Sequence, residues 1–177
     1  AEGVAAGKVI ADIAANTEKF AEFAKGGADG FANAAIEAAK IGSNLSAVLG
    51  AADKLLDFES SLTNEFEAQV ITGKSFNLER ARQLALDGDI AGLTSEIQSV
   101  VGQVGDIQSL NVIQRKSVAD AIGISVQDLL KISRGEQVAG QETVLDEQKK
   151  TNAILAKQYD VNLESLDVQK DKNVTIQ

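Results

Sequence analysis

One segment of the chain fits the loose pattern of a phosphate-binding loop, in which four positions separate a small residue from Gly-Lys-Ser. The segment is AQVITGKS, residues 68–75. In such loops a strand leads into a glycine-rich turn whose N–H groups surround phosphates, and a helix follows. Here the residues before Gly73 continue a helical pattern, and the loop has a single glycine. We therefore interpret Gly73 as a helix end and Lys74 as a charge that complements the helix dipole.

A second segment partly matches a calcium-binding loop. Asp87, Asp89 and Gly92 stand at positions one, three and six of such a loop. Position five is Ala91, and position twelve is Gln98 where a bidentate glutamate is expected. Without those two ligands the site loses most of its charge, so the segment predicts a structural turn and no metal site.

The third segment, residues 111–137, predicts two short helices joined by a tight turn. Asn111 and Gln114 are spaced as a capping pair for the first helix, and Ser125 and Asp128 for the second. Gly123 lies where the first helix must end, at the position that a left-handed residue usually fills. By residue chemistry alone this segment is a packing unit.

The same spacing follows the helix-turn-helix of repressor-type DNA-binding domains. In that fold the second helix lies in the major groove, and its first side chains read bases. Val126, Gln127 and Asp128 would be those side chains, and only Gln127 is a plausible base reader. A helix-turn-helix DNA-binding protein is therefore the alternative function for this chain.

The composition excludes several classes of site. The chain of 177 residues has no histidine and no cysteine, so neither a Ser-His-Asp nor a Cys-His set can exist. Its formal net charge of −9 argues against sequence-independent binding to nucleic acid and against binding to an anionic membrane surface. No run approaches the ~18 apolar residues of a membrane span. We expect no enzyme activity, no cofactor and no metal.

The elements that carry these segments are predicted to be helices throughout. Residues 1–40 are rich in alanine and predict two helices broken at Gly26-Gly27. Ser43 to Ile71 predicts one long amphipathic helix of roughly 40 Å, with Ser43 as its N-cap. Apolar residues at three- and four-residue steps form one stripe along this helix, which we expect to mediate self-association: Leu45, Val48, Leu49, Ala52, Leu55, Leu56, Leu62, Phe66 and Val70.

The predicted fold is all-α and has three parts. Residues 1–73 hold the Ala-rich helices and the long amphipathic helix, and residues 74–137 form a unit of short helical hairpins. Residues 138–177 hold a weak coiled-coil-like helix and a flexible tail. The seven-residue series in this last part is Leu145, Asn152, Tyr159 and Leu166, with Leu155 between them. The chain contains no methionine, which favours a piece of a longer protein.

From about Leu45 to Gln137 the chain carries three motifs that occur together. They are FESS, N-L-E-x-A-R-x-L-A-L-x-G-D and N-x-I-Q-R-x-x-V-A-x-A-x-G-x-S-V. This segment resembles part of the tail tape measure and related virion structural proteins of tailed phages, notably marine ones. The resemblance implies a long helical chain inside the tail tube that fixes the tube's length and leaves with the DNA at ejection. It brings no catalytic or ligand-binding residue with it.

The resemblance and the stripe together give the functional expectation. We expect a non-enzymatic virion structural protein, part of a tape measure, that forms a helical bundle inside the tail. A three- or sixfold homo-oligomer would fit a tail axis, and tail tube or tail-tip proteins would be its other partners. The protein would be made in the cytoplasm of the bacterial host and would end in the virion tail.

Overall fold

A computed structural model describes residues 6–23 and 25–135, and its regular elements in these ranges are helical. The all-α class is thereby confirmed for this part of the chain. The C-terminal heptad series and the flexible tail lie outside the described residues. The described ranges contain nine α-helices: α1 (Ala6–Ala15), α2 (Phe20–Phe23), α3 (Gly27–Lys40), α4 (Leu45–Leu56), α5 (Phe58–Thr72), α6 (Glu79–Leu86), α7 (Ile90–Val104), α8 (Val112–Ile122) and α9 (Val126–Ser133).

The single long helix predicted over residues 43–71 is wrong, because the structure divides it into α4 and α5 at Asp57. This residue has φ −78° and ψ 81°, which is not helical, and its carboxylate accepts a hydrogen bond from the Ser60 N–H at 3.4 Å. An aspartate that caps a new helix satisfies N–H groups that a continuous helix would not leave open. The predicted N-cap is displaced by one residue, since Asn44 and not Ser43 accepts from the Ala47 N–H.

The Ala-rich N-terminal part forms three α-helices where two were predicted. The break at Gly26 and Gly27 is confirmed, and both residues have positive φ. A second break follows α1 at Asn16, whose side-chain amide donates to the Asp12 carbonyl at 2.7 Å. Asparagine competes in this way with the helical backbone bonds, which explains why the alanine-rich pattern stops there.

The α8–α9 hairpin forms as its caps predict. Asn111 and Gln114 make both reciprocal bonds of a capping box, and Ser125 accepts from the Asp128 N–H at 3.0 Å. Gly123 ends α8 with φ 90°, and a Cβ built on it would lie 3.0 Å from the Ala51 Cα. The left-handed turn and the close approach to α4 both require glycine here.

The described helices share one apolar core. Helix α3 packs on α7, α4 packs on α6, and α5 packs on α8, so elements from both sides of the predicted boundary at 73/74 are interleaved. Residues 6–23 and 25–135 therefore do not divide into separate cores at that position. Within these same ranges, no helix combines the length and the apolar character that a membrane crossing requires.

Candidate functional site: an apolar face on α5

The residues predicted to mediate self-association divide into two groups. The first five lie in the chain's own core and are at most 2% exposed: Leu45, Val48, Leu49, Ala52 and Leu55. Leu56 is half-buried against that core. Leu62, Phe66 and Val70, which lie on α5, are 53%, 68% and 66% exposed. Only these last three remain available to a partner.

Phe58 extends this exposed group, although the sequence reasoning missed it. It is 46% exposed and lies four residues before Leu62. With Leu62, Phe66 and Val70 it forms a row at four-residue steps, which we call the α5 face. Each step of four residues turns about 40° and rises about 6 Å, so the row runs for roughly 18 Å over an arc of about 120°.

The side of α5 that faces the protein is small and polar. Its three buried residues are Ser61, Glu65 and Ala68, and Ala68 is fully buried. Small residues let two helix backbones approach closely, and α5 packs against α8. Helix α5 is therefore inverted relative to an ordinary surface helix, which buries its apolar stripe and exposes its polar side.

A buried ion pair joins this polar side to α6. The Arg82 Nη1 atom lies 2.8 Å from Glu65 Oε2 and donates to Ser61 Oγ at 3.1 Å. The other carboxylate oxygen, Glu65 Oε1, accepts from the Leu78 N–H at 3.0 Å, at the start of α6. The two charged side chains are only 6% and 10% exposed. Burial of a pair without further bonds would be costly, and here both partners have them.

The loop between α5 and α6 is fixed against the same side. The Gln69 side-chain amide donates to the Phe76 carbonyl at 2.7 Å, and Phe76 is itself buried. An open groove of about 490 Å³ runs between the α5 face and this loop. Its lining consists of apolar and polar residues from α5 together with Asn77, Glu79 and Arg82 from the other side.

The phosphate-loop motif is the end of a helix. Gly73 has φ 66° and caps α5, with its N–H donating to the Gln69 carbonyl at 2.9 Å. The Lys74 N–H donates to Thr72 Oγ1 at 3.1 Å. Because a helix and not a strand leads into this loop, the N–H groups do not form a phosphate cradle of the kind that the motif describes.

The calcium-loop motif is a capped turn. Asp89 is the N-cap of α7 and accepts from the Gly92 N–H at 2.9 Å, while Asp87 accepts from the Gln83 side chain at 3.1 Å. Among the residues that the structure describes, no three histidine, cysteine, aspartate or glutamate side chains are grouped so that they could hold a metal ion.

The surface of α9 that would face DNA carries few positive charges. Gln127, the predicted base reader, is exposed. Asp128 beside it accepts from the Ser125 hydroxyl at 2.6 Å, and Lys131 Nζ lies 3.9 Å from the same carboxylate. On the neighbouring helix α8, the Arg115 guanidinium is also engaged within the protein, since it donates to the Gln108 carbonyl at 2.9 Å.

One lysine far from the α5 face has a shifted pKa. Hydrogen bonds from Lys19 to Glu22 and to Asp53 raise the pKa of its ammonium group above the ordinary value of 10.5. The contact with Asp53 ties the turn before α2 to α4. It is a surface interaction and plays no part at the α5 face.

Comparison with known proteins gives no relative. No family model matches this chain, and no curated protein or solved structure is significantly similar to it.

Proposed function

We propose that this chain is a non-enzymatic structural protein of a phage virion, part of a tail tape measure or a related tail component, and that copies of it associate through the α5 face. The motif resemblance supports the virion class. The exposure of the α5 face supports association, because contiguous exposed apolar side chains on a soluble protein often mark an interaction surface. This row is the observation on which the proposal depends.

The rest of the proposal follows from the tail environment. A three- or sixfold number of copies fits a tail axis, and tail tube or tail-tip proteins are the further partners. The net charge of −9 would repel the DNA that passes through the tube. The test for this part is the parent reading frame: a tape measure requires a frame much longer than 177 residues with tail genes beside it.

Sedimentation velocity tests association through the α5 face. The protein at tens of micromolar should sediment faster than a single chain and should slow on dilution. Leu62→Asp with Phe66→Asp should reduce it to a single chain without changing its helicity, because both side chains are more than half exposed. Leu55 is unsuitable for this test, since it is 1% exposed and a charge there would unfold the core.

A matched control separates the α5 face from general surface hydrophobicity. Ile10→Asp with Leu86→Asp changes two apolar residues of similar exposure, 66% and 59%, on α1 and α6. This variant should keep the mass of the parent protein. A single-chain mass for the parent at every concentration would overturn the association proposal, as would equal loss of mass in both double variants.

The alternative is DNA binding through the α8–α9 hairpin. The observation that favours it is the hairpin itself, with its capping box and its left-handed Gly123. Salt-dependent retention on random-sequence DNA, weakened by Lys116→Gln with Lys131→Gln, would support this alternative. Absence of retention at low salt would remove it.

A further inference from the structure

We infer that two copies pair through the α5 face in an antiparallel arrangement, about a twofold axis that passes between Leu62 and Phe66. This inference rests on the proposed function, since it requires the α5 face to be a self-association surface. It adds the identity of the contact: the occupant of the α5 face is the α5 face of a second copy.

The spacing of the row fits a copy of itself. Side chains at four-residue steps form ridges inclined to the helix axis, and two such ridges interdigitate when the helices cross at about 50°. With the helices antiparallel, Leu62 lies opposite Phe66 of the partner copy, and Phe58 lies opposite its Val70. Each phenylalanine ring then meets a smaller aliphatic side chain, in the self-complementary pattern that a twofold contact requires.

One charge beside the row favours the antiparallel direction. Glu59 is exposed and directly follows Phe58 on α5. In a parallel pair, the two Glu59 side chains would lie level with each other, and like charges placed together disfavour that arrangement. In the antiparallel pair, Glu59 lies level with Gln69, which is uncharged.

The area of the α5 face suits a stable pair. At their observed exposures the two phenylalanines and two aliphatic residues present roughly 400 Å² of apolar surface per copy. Interfaces between proteins are about 57% apolar, so a contact centred on this row would bury roughly 700 Å² per copy. Stable pairs bury about 600 to 1,000 Å² per partner.

The buried ion pair keeps the row facing outward. Glu65 bonds to Arg82 and to the Leu78 N–H on α6, so rotation of α5 about its axis would break both contacts. A fixed face does not have to be ordered at the moment of pairing, which removes one of the usual costs of association.

Antiparallel pairs are also compatible with six copies arranged as three pairs, whereas a ring of three requires a head-to-tail contact.

Cysteine cross-linking tests the direction of pairing, because the chain has no cysteine of its own. Thr63 and Glu59 are both exposed and lie beside the row. About the proposed axis, two Thr63 positions are offset by only about 3 Å along the helix, whereas two Glu59 positions are offset by about 15 Å. In a parallel pair both offsets would be close to zero.

Single variants Thr63→Cys and Glu59→Cys are treated at tens of micromolar with a short bismaleimide. We expect Thr63→Cys to form a covalent dimer at least tenfold faster than Glu59→Cys, and Phe66→Asp added to it should abolish the product. A single-site maleimide measures the reactivity of each thiol, and the rates are corrected for it. Equal cross-linking of the two variants, or faster cross-linking of Glu59→Cys, would overturn the antiparallel pair.

Sedimentation of the same two variants separates the two proposals. A dimer mass with no preference for position 63 would overturn the antiparallel pair and leave association through the α5 face standing. A single-chain mass with no cross-linking in either variant would overturn both.

Discussion

Replacement of Arg82 by methionine should destabilise the protein strongly, because it leaves Glu65 as a buried carboxylate without its cationic partner. Methionine keeps most of the apolar volume of the arginine side chain. It removes the 2.8 Å ion pair with Glu65 and the 3.1 Å bond to Ser61. The carboxylate keeps only the Leu78 N–H at 3.0 Å. Removal of one partner from a buried pair costs about 3–5 kcal/mol of the free energy of unfolding.

Urea unfolding followed by far-UV circular dichroism measures this loss directly. In thermal unfolding of the same variant, the midpoint temperature should fall by roughly 10–15 °C, since 1 kcal/mol corresponds to about 3 °C in a chain of this size. Arg80→Met is the matched control. Arg80 is 77% exposed and pairs with Glu96 at 3.2 Å, so its removal should cost less than about 1 kcal/mol.

A second variant distinguishes an unpaired charge from lost packing. Arg82→Met combined with Glu65→Leu removes both charges, and buried pairs replaced by apolar residues are often neutral in stability. The double variant should therefore recover at least half of the loss seen in Arg82→Met. If Arg82→Met costs no more than Arg80→Met, or if the double variant is the less stable of the two, the ion pair does not hold α5 as we describe.

Four further variants test the local structure. Gly123→Ala should cost about 2 kcal/mol, because φ is 90° and the new Cβ would lie 3.0 Å from the Ala51 Cα; thermal unfolding measures this. Asn111→Ala should cost about 1 kcal/mol in the same assay through loss of its cap. Lys74→Ala should leave the midpoint temperature unchanged, and ATP or GTP should shift the midpoint temperature of neither this variant nor the parent protein. Folding raises the pKa of Lys19, so the contribution of this lysine to stability is fully present below pH 10.5 and is lost as pH rises through the folded pKa. The difference in the free energy of unfolding between Lys19→Gln and the parent protein should therefore be constant from about pH 6 to 9.

Local signals in the sequence were sufficient wherever a single residue determines the backbone. The capping pair Asn111 and Gln114, the left-handed Gly123 and the helix end at Gly73 all occur as predicted. Each of these features depends on hydrogen bonds within a few residues or on a positive φ angle. Neither of these two causes needs a contact with a distant part of the chain. The all-α class followed for the same reason.

The predicted long helix failed because the apolar spacing continues across the break. Leu55 and Leu62 are seven residues apart, a step that keeps both on one face of a helix, so the stripe gives no signal of an interruption between them. The interruption is set at Asp57, whose carboxylate caps the start of α5. Phe58, four residues before Leu62, would have started a second row at that point.

The periodicity of the sequence could not predict which side of α5 is buried and which is exposed. An apolar stripe normally indicates the buried side of a helix, and here it indicates the exposed side. The buried side is set by Arg82, which lies 17 positions after Glu65 in the chain and on another helix. No local pattern links two such residues, so the ion pair and the face that it orients became visible only in the packed structure.

The inverted setting of α5 is the main physical reason to expect assembly. With roughly 400 Å² of apolar surface left in water, the single chain forgoes an upper limit of about 10 kcal/mol that burial of the row would contribute. Rotation of α5 to recover it would place the Glu65 charge in water and leave Arg82 buried alone, at a cost of several kcal/mol. A second copy can cover the row without breaking any contact of the first. Association is therefore the change that buries the α5 face while the ion pair stays intact, and it should weaken when Leu62 and Phe66 are made polar.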